Sequence, residues 1–464
     1  MSKEMKISER IADVVVGTRF EDLPEEAVHK VKELVLDSLG SMIGSRDIPS
    51  SKIATDVALE LGGPVESTVV GVGKKVAAAN AAFANAIQAY AFDFIDDHNE
   101  SNSHPSAATI PASLALGEKL RCSGKHVIEA IALGNELVCR LGAAFLGKTY
   151  YQGFHPTSTC GMFGATASAG KLLTLDHQRI VWSMGIAGSM SSGLMEWKAG
   201  GSITKRLQAG HPAMCGIIAA MMAQRGYDGP DTIFEGEDGF LNSYSYQRQH
   251  DAHCITDKLG KTWEFVKSSI KVYPCCRYSG GHIDACLEIV GKYHPVPEKI
   301  KKIFIRSSNY TLKLLAEPVE RKMKPQNMVD LQFSMPFQAA IALLRGKVGV
   351  DEFTMESARE PLVMQLMEKI EWIEDPEFER RYPEHYSSAV TVTMEDGTEY
   401  TAVIDDPKGD WRNPVTHGDI ENKFTDLVKR VTRDEGRIRE IIKYVNTLET
   451  QTSIGDLFPL ITIT

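Results

Sequence analysis

The stretch Val76-Ala-Ala-Ala-Asn-Ala-Ala-Phe-Ala-Asn-Ala-Ile-Gln-Ala-Tyr-Ala91 decides the fold class. Almost every side chain in it is small or apolar. A helix formed here has no solvent face and must be buried on most sides. Similar runs cover 106–120, 160–173, 183–195 and 212–224. Ala, Gly and Ser at this density let helices approach closely, which predicts a compact helical core. Toward the N-terminus, segments 8–15 and 23–37 carry apolar residues at helical spacing, with Pro24 suited to a first turn.

The texture changes after Gly260. Residues 268–273 and 301–308 alternate like strands, and 389–394, Glu395-Asp396-Gly397 and 398–404 read as a hairpin. Two helix-like stretches, near 281–293 and 334–345, lie between them. The amphipathic tail 416–448 is helical again and packs back on the first block. The predicted fold is therefore mostly α with an α+β insertion. Residues 1–262 and 406–464 form the helical domain and residues 263–405 the smaller α+β lid domain. The chain shows no internal repeat, low-complexity tract or long linker.

At 464 residues the chain exceeds one typical core. A net charge of −10 argues against nucleic acid or a membrane surface as partner, and requires a local basic focus for any anionic substrate. The eight cysteines form no C-x-x-C pair or zinc spacing, which predicts reduced thiols in a cytoplasmic protein. The opening MSKEMKISERIADVV lacks the apolar core of a signal peptide, and no uncharged apolar stretch is long enough to span a bilayer.

Three His-Pro dipeptides open runs of small residues: His104-Pro105, His155-Pro156 and His211-Pro212; His294-Pro295 lies in a different setting. Proline suits a first helical turn, and a histidine ahead of it sits beside free backbone N–H groups that attract carboxylates. Between Phe92 and Ser106, Asp93, Asp96 and Asp97 crowd with His98 and His104. Crowded carboxylates raise one another's pKa and can supply a general acid or base. The competing readings are a solvated acidic loop with a helix cap, or a metal site, for which no known ligand spacing is present.

The second stretch, Tyr150–Gly161, offers Tyr151, His155 and the hydroxyls of residues 157–159 to a carboxylate, or is an ordinary helix cap. Cys160 there reads as a packed thiol. The third, Gly200–Pro212, holds Lys205 and Arg206 on a glycine-bounded loop, as a substrate clamp or a surface basic pair. The fourth, Lys271–His282, lies at the domain junction, where clefts favour ligands; its vicinal Cys275 and Cys276 read as packing. Gly71-Val72-Gly73-Lys74-Lys75 lacks phosphate-loop spacing and reads as a turn.

Together these stretches resemble the MmgE/PrpD family, whose members include 2-methylcitrate dehydratase, cis-aconitate decarboxylase and iminodisuccinate epimerase. The resemblance spans nearly the whole chain. It rests on 93–105, Gly153–Thr157, Gly188–Glu196, Thr204–Leu207 with Ala209-Gly210, and Tyr273–Tyr278. It continues through Lys324-Pro325-Gln326, Phe333–Pro336, Gly409-Asp410 and Asn413-Pro414. It implies a helical domain built from both chain ends, a lid, a homodimer, and neither metal nor organic cofactor. It places Asp93, His104, His155 and Lys205 at active-site positions. Asp97 stands where many members have Thr, Gly280 where the family has His, and Lys198 where an uncharged residue is expected. His282 follows Gly280 two positions later.

The shared chemical problem of such enzymes is a carbanion-like centre beside a carboxylate. It calls for positive charge against the developing dianion, with a base and an acid flanking the carbon. In this reading Lys205 and Arg206 bind carboxylate and stabilise charge, and Arg277 contributes from the lid. His155 and His104 are acid and base, Asp93 orients an imidazole, and Tyr151 is a further proton donor. Asp97, His98, Thr157 and His282 complete the substrate-binding set. The sequence favours a 2-methylcitrate dehydratase-like lyase acting on a small di- or tricarboxylate. The alternatives are an epimerase or a cis-aconitate decarboxylase-like enzyme, and further off an inactive carboxylate-binding protein.

Overall fold

The computed structural model describes residues 5–463, so the first four residues of the segment read for a signal peptide lie outside it. The chain is mostly α. We label the elements that bear on function. The helices are α1 Glu25–Gly44, α2 Ala78–Tyr90, α3 Ser106–Leu120, α4 Gly124–Ala143, α5 Pro156–Leu172, α6 Leu207–Gln224, α7 Gly280–Tyr293, α8 Met335–Arg345, α9 His417–Val428 and α10 Glu435–Asn446. The strands are β1 Ile300–Ser307, β2 Ile370–Glu374, β3 Ser388–Met394 and β4 Glu399–Ile404.

The alanine-rich runs become the buried centre. α2 packs on α3 and α6, and α5 packs on α4, α3 and α6. Small residues set the spacing: a Cβ added to Gly134 on α4 would lie 2.8 Å from the Gly164 carbonyl oxygen on α5, and the reverse holds for Gly164. Any side chain there must push the two helices apart. One apolar cluster runs from Ile7 to Ile270 and resumes from Ile420 to Ile463, so α9 and α10 share a core with α1. A second cluster takes Cys275 to Ala402 and draws in Met195 and Trp197 from the first half of the chain.

The second cluster is built on a four-stranded sheet of order β2-β1-β3-β4. β1 pairs with β2 in parallel and with β3 antiparallel, and Ile303 lies opposite both Ile370 and Val392. β3 and β4 form the predicted hairpin, with Gly397 at φ 88° in its turn. On β3, Val390, Val392 and Met394 face inward, against α7, which in turn packs on α8. A two-stranded ladder, Ser67–Thr68 with Lys75–Val76, brackets the turn read at Gly71–Lys75.

Two local expectations fail. Residues 268–273 form no strand; Ser269 makes one bridge with Asp97, and Ile270 N–H donates to the Gly409 carbonyl. This segment crosses between the two cores and has no neighbouring strand to pair with. Second, Pro212 lies inside α6, not at its start, because Leu207-Gln-Ala-Gly extends the helix toward the N-terminus. The other dipeptides behave as read: His155 caps α5 with Pro156 in its first turn, and His104-Pro105 precedes α3. Among the described residues no helix is long and apolar enough to cross a membrane.

Candidate active site

Helix α2 ends at Tyr90, and the chain then turns sharply. Asp93 has φ 57°, a left-handed conformation that costs a non-glycine residue about 1 kcal/mol or more. The turn aims its carboxylate back into the protein, where it is fully buried. Asp93 Oδ1 accepts from Lys205 Nζ at 3.0 Å and from Lys271 Nζ at 2.9 Å. Lys271 also donates to the Asp93 and Cys275 carbonyls, and Lys205 donates to the Tyr90 hydroxyl at 2.6 Å. Arg206 stands behind, its guanidinium bonded to Gln332, whose amide donates to the Phe92 carbonyl.

The two helix-start histidines meet this cluster. The His104 and His155 rings are 6.4 Å apart and lie 5.1 and 6.5 Å from the Tyr90 ring. His104 Nδ1 is 2.7 Å from the Asp96 carbonyl oxygen. A carbonyl only accepts, so Nδ1 carries the proton and the neutral ring keeps its lone pair on Nε2. His104 N–H donates to Thr157 Oγ1 at 3.1 Å, which locks the α3 start to the first turn of α5. His155 Nδ1 is buried with no hydrogen-bond partner.

From the other side Arg277 donates to Asp410 at 2.6 Å, and its Nε lies 4.0 Å from Asp97 Oδ2. Asp97 Oδ1 lies 3.4 Å from His104 Nδ1. A Cβ added to Gly280 would lie 2.8 Å from Pro407 Cβ and 3.2 Å from Arg277 Nη1. A side chain at 280 would press on Pro407 and crowd the Arg277 guanidinium, and glycine leaves that space clear.

Asp93, Asp97, His104, His155, Lys205 and Arg277 all line one cavity, with Tyr150, Trp197 and Phe333 among the rest of its wall. The space swept by the centre of a water molecule is about 20 Å³. That admits a water or two and not a tricarboxylate. A larger cleft of about 840 Å³, between α9 and residues 348–352, contains neither histidine.

Burial and charge set the protonation states. Burial lowers both imidazoles well below the usual histidine value, and the Lys205 charge lowers them further, as Lys271 does too. Both are therefore neutral at pH 7. Burial alone would raise Asp93; Lys205, Lys271 and Arg206 outweigh it and hold the carboxyl well below the usual range. Burial brings Lys205 down to about 7, with Asp93 opposing. Burial pushes Asp97 up to about 6 and Asp96 up to about 7. The site thus offers neutral proton acceptors, a lysine poised between charge states and a carboxyl that can hold a proton.

Other candidates fall outside the cavity. Tyr151 is 46% exposed and lies against Tyr246 and Tyr310. The short turn Thr149–Gln152 points neighbouring side chains in different directions, so Tyr150 lines the cavity instead. His98 is buried against Ser101, at 3.1 Å. His282 bonds Gln338 in the second core, at 3.1 Å, and burial brings it down to about 4. Lys198 is exposed, so neither it nor His282 fills the place left by Gly280. Thr157 and Arg206 support the wall from behind. Cys160 is buried, with its thiol pushed up to about 12, a packed thiol as read. Sequence reasoning missed Lys271, Tyr90, Trp197 and Phe333. Lys271 opens the stretch at the domain junction but sits in a segment that reads as a strand, and Tyr90 is hidden in a helix that reads as core.

This defines a class: a mostly helical protein with a small α+β portion, whose buried lysine-bracketed aspartate faces two helix-start imidazoles. Residues 9–253 match the MmgE/PrpD N-terminal domain and residues 273–447 the MmgE/PrpD C-terminal domain. The chain belongs to the MmgE/PrpD family. It is 27% identical to a cis-aconitate decarboxylase of Aspergillus terreus over 95% of this chain and 93% of that protein. It is 27% identical to the cis-aconitate decarboxylase of Homo sapiens over 96% and 92%. A 2-methylcitrate dehydratase of Escherichia coli is 22% identical over 52% of this chain and 50% of its own length.

Proposed function

We propose that this chain is a cofactor-independent lyase that decarboxylates an unsaturated tricarboxylate of the cis-aconitate kind. The dehydratase reading favoured by sequence gives way here, because the relatives named decarboxylases match over nearly their whole length and the dehydratase over half. The observation that carries the proposal is the pair of neutral imidazoles facing the Lys205–Asp93–Lys271 bracket. Loss of CO2 breaks a C–C bond and leaves its electron pair on carbon, delocalised into the conjugated carboxylate. Lys205, Lys271 and Arg277 supply the positive charge that stabilises this dianion. A bound polyanion raises the pKa of nearby imidazoles, so one of them can carry a proton and deliver it to carbon as CO2 leaves. His104 with Nε2 free, or His155, fills that role, and Asp93 holds the lysines in place.

The cavity is too small for the substrate, so the reading includes parting of the 263–405 block from the helical body, a lid movement. A homodimer comes with the reading from the family resemblance and a cytoplasmic location from the unpaired cysteines; sedimentation and fractionation test them. The deciding experiment is incubation with cis-aconitate, followed by proton NMR and CO2 release. No turnover of cis-aconitate sinks the proposal, and binding without turnover points to an inactive carboxylate binder.

One observation favours a second reading. Asp97 places a buried carboxylate in the cavity wall, and its Oδ2 faces Arg277 at 4.0 Å without a hydrogen bond. A hydroxyl or amino group on the substrate would donate to it, whereas cis-aconitate has only acceptors at neutral pH. Dehydration of a hydroxy-tricarboxylate, or epimerisation of an amino-polycarboxylate, would use that contact. Turnover of 2-methylcitrate or iminodisuccinate with cis-aconitate inert selects this reading.

A further inference from the structure

Helices α1 and α9 pack side by side, joining the N-terminal part of the body to the C-terminal segment. His29, Glu33 and His417 meet at that contact. His29 Nε2 lies 3.2 Å from Glu33 Oε1 one turn along the same helix, and His417 Nδ1 lies 3.9 Å from the same oxygen. The two rings are 5.3 Å apart, and the three ligand atoms all fall within 4.8 Å of one another.

The surroundings fix which nitrogen of His417 carries its lone pair. His417 Nε2 is 3.1 Å from Asn446 Oδ1 and 3.3 Å from Glu421 Oε1. Asn446 Nδ2 donates to Glu421 at 2.8 Å, so Asn446 Oδ1 is left as an acceptor. Nε2 of His417 therefore carries the proton, and the neutral ring turns the lone pair of Nδ1 toward Glu33. That Nδ1 is buried without a hydrogen-bond partner. Lys30 Nζ, 3.1 Å from Glu33 Oε2, occupies the other carboxylate oxygen and leaves Oε1 for the cluster. The backbone at His417 is pinned by the Thr416–Asp419 capping box. The unpartnered His417 Nδ1 and the His29 Nε2 thus converge on the same Glu33 oxygen. An outer carboxylate and amide hold the imidazole in the tautomer that metal ligation needs.

We infer that His29 Nε2, Glu33 Oε1 and His417 Nδ1 form a binding site for a zinc-like divalent ion, completed by water, that staples α1 to α9. Ligand atoms around tetrahedral zinc sit about 3.3 Å apart. The 3.2 Å pair already matches, and the 3.9 Å pair closes with a small ring rotation. Two imidazoles and one carboxylate favour zinc over magnesium or calcium, which prefer oxygen shells. None of the three residues lines the catalytic cavity, so the site is structural and independent of the proposed reaction. The rival explanation is a proton in place of the metal, with imidazolium bridging to Glu33.

The test is titration of chelator-treated full-length protein with Zn2+ at about pH 7.5, read by calorimetry and by melting temperature. The site predicts one tightly held ion per chain and a melting temperature raised by a few degrees at about a hundredfold excess over Kd, with Mg2+ inert. His29→Gln and His417→Gln each weaken binding at least tenfold while metal-free melting stays close to wild type. Substitution by Co2+ gives a fold-independent check, since a tetrahedral site yields intense visible bands. Failure to take up Zn2+ at about 100 μM, uptake unchanged in both variants, or weak octahedral Co2+ bands would overturn the inference.

Discussion

His155-Pro156 and His211-Pro212 begin alike and end differently. Each joins a histidine to a proline ahead of a run of small residues. The first pair starts α5, and its imidazole reaches the cavity wall. The other pair lies within α6, where His211 is half-buried and its Nδ1 meets Ser192 Oγ at 3.3 Å, outside the cavity. The difference comes from what precedes the dipeptide. Tyr150-Tyr-Gln-Gly153 makes a short turn closed by Gly153 at φ 86°, so a new helix must begin. Leu207-Gln-Ala-Gly210 continues straight from the turn carrying Lys205 and Arg206, and the helix simply runs through the proline. A local motif states that a helix is near, and its neighbours decide which residue is exposed at the start. Lys205 and Arg206 take the helix-start position that the motif suggested for His211.

That comparison breaks or holds under mutation. His155→Ala should lower kcat/KM by about 10²–10⁴-fold, the usual worth of a positioned acid–base group, with circular dichroism unchanged. His211→Ala should stay within about twofold, so equal losses in the two variants would erase the distinction. Next in size, Lys271→Met removes one cation from Asp93 and leaves Lys205. We expect kcat to fall by roughly 10–100-fold, measured on whichever of cis-aconitate, 2-methylcitrate and iminodisuccinate is turned over. An unchanged kcat would show that Lys205 alone supplies the charge.

A third test reads the opposite wall. Asp97 has a folded value of about 6 against an ordinary 3.8, so the fold favours its protonated form. The stability linked to that proton is fully present below pH 3.8 and is lost as pH rises through about 6. Asp97→Asn should therefore gain on wild type above about pH 6, by on the order of 2–3 kcal/mol at about pH 8, and gain nothing near about pH 4. Denaturant melts at both pH values check this; a pH-independent difference would mean that the pairing with Arg277 dominates. The smallest effect separates neighbouring tyrosines. Tyr151→Phe should leave activity within about twofold. Tyr150→Phe removes the hydroxyl that donates to the Asn102 carbonyl at 2.8 Å and should cost about 1 kcal/mol of stability.

Legibility followed the same boundary. The alanine-rich helices, the hairpin at Glu395–Gly397 and the amphipathic tail were readable because each signal is local: composition, spacing and turn residues. Asp93, Asp97, His104, His155, Lys205 and Arg277 stood out as chemistry-bearing residue types in tight clusters, and the structure brings these six to one cavity. Lys271 and Tyr90 did not stand out. Lys271 gains its meaning from Asp93, far away in sequence, and Tyr90 resembles any buried aromatic at a helix end. Tyr150 and Tyr151 look alike in sequence, because sequence does not say which of two adjacent side chains a short turn points inward.

The amino-acid order by itself determined a helical body of closely packed small residues, an α+β portion after Gly260, and the set of charged and imidazole groups available for catalysis. Helix propensity, apolar period and turn chemistry act over a few residues, so they survive in the linear text. Only tertiary structure decided which of those groups share one low-dielectric cavity. It also decided that Gly280 clears the place where Arg277 lies and that Lys271 and Lys205 converge on a single carboxylate oxygen. Burial and the distances between charges fix protonation and charge balance, and neither exists until remote segments have packed together.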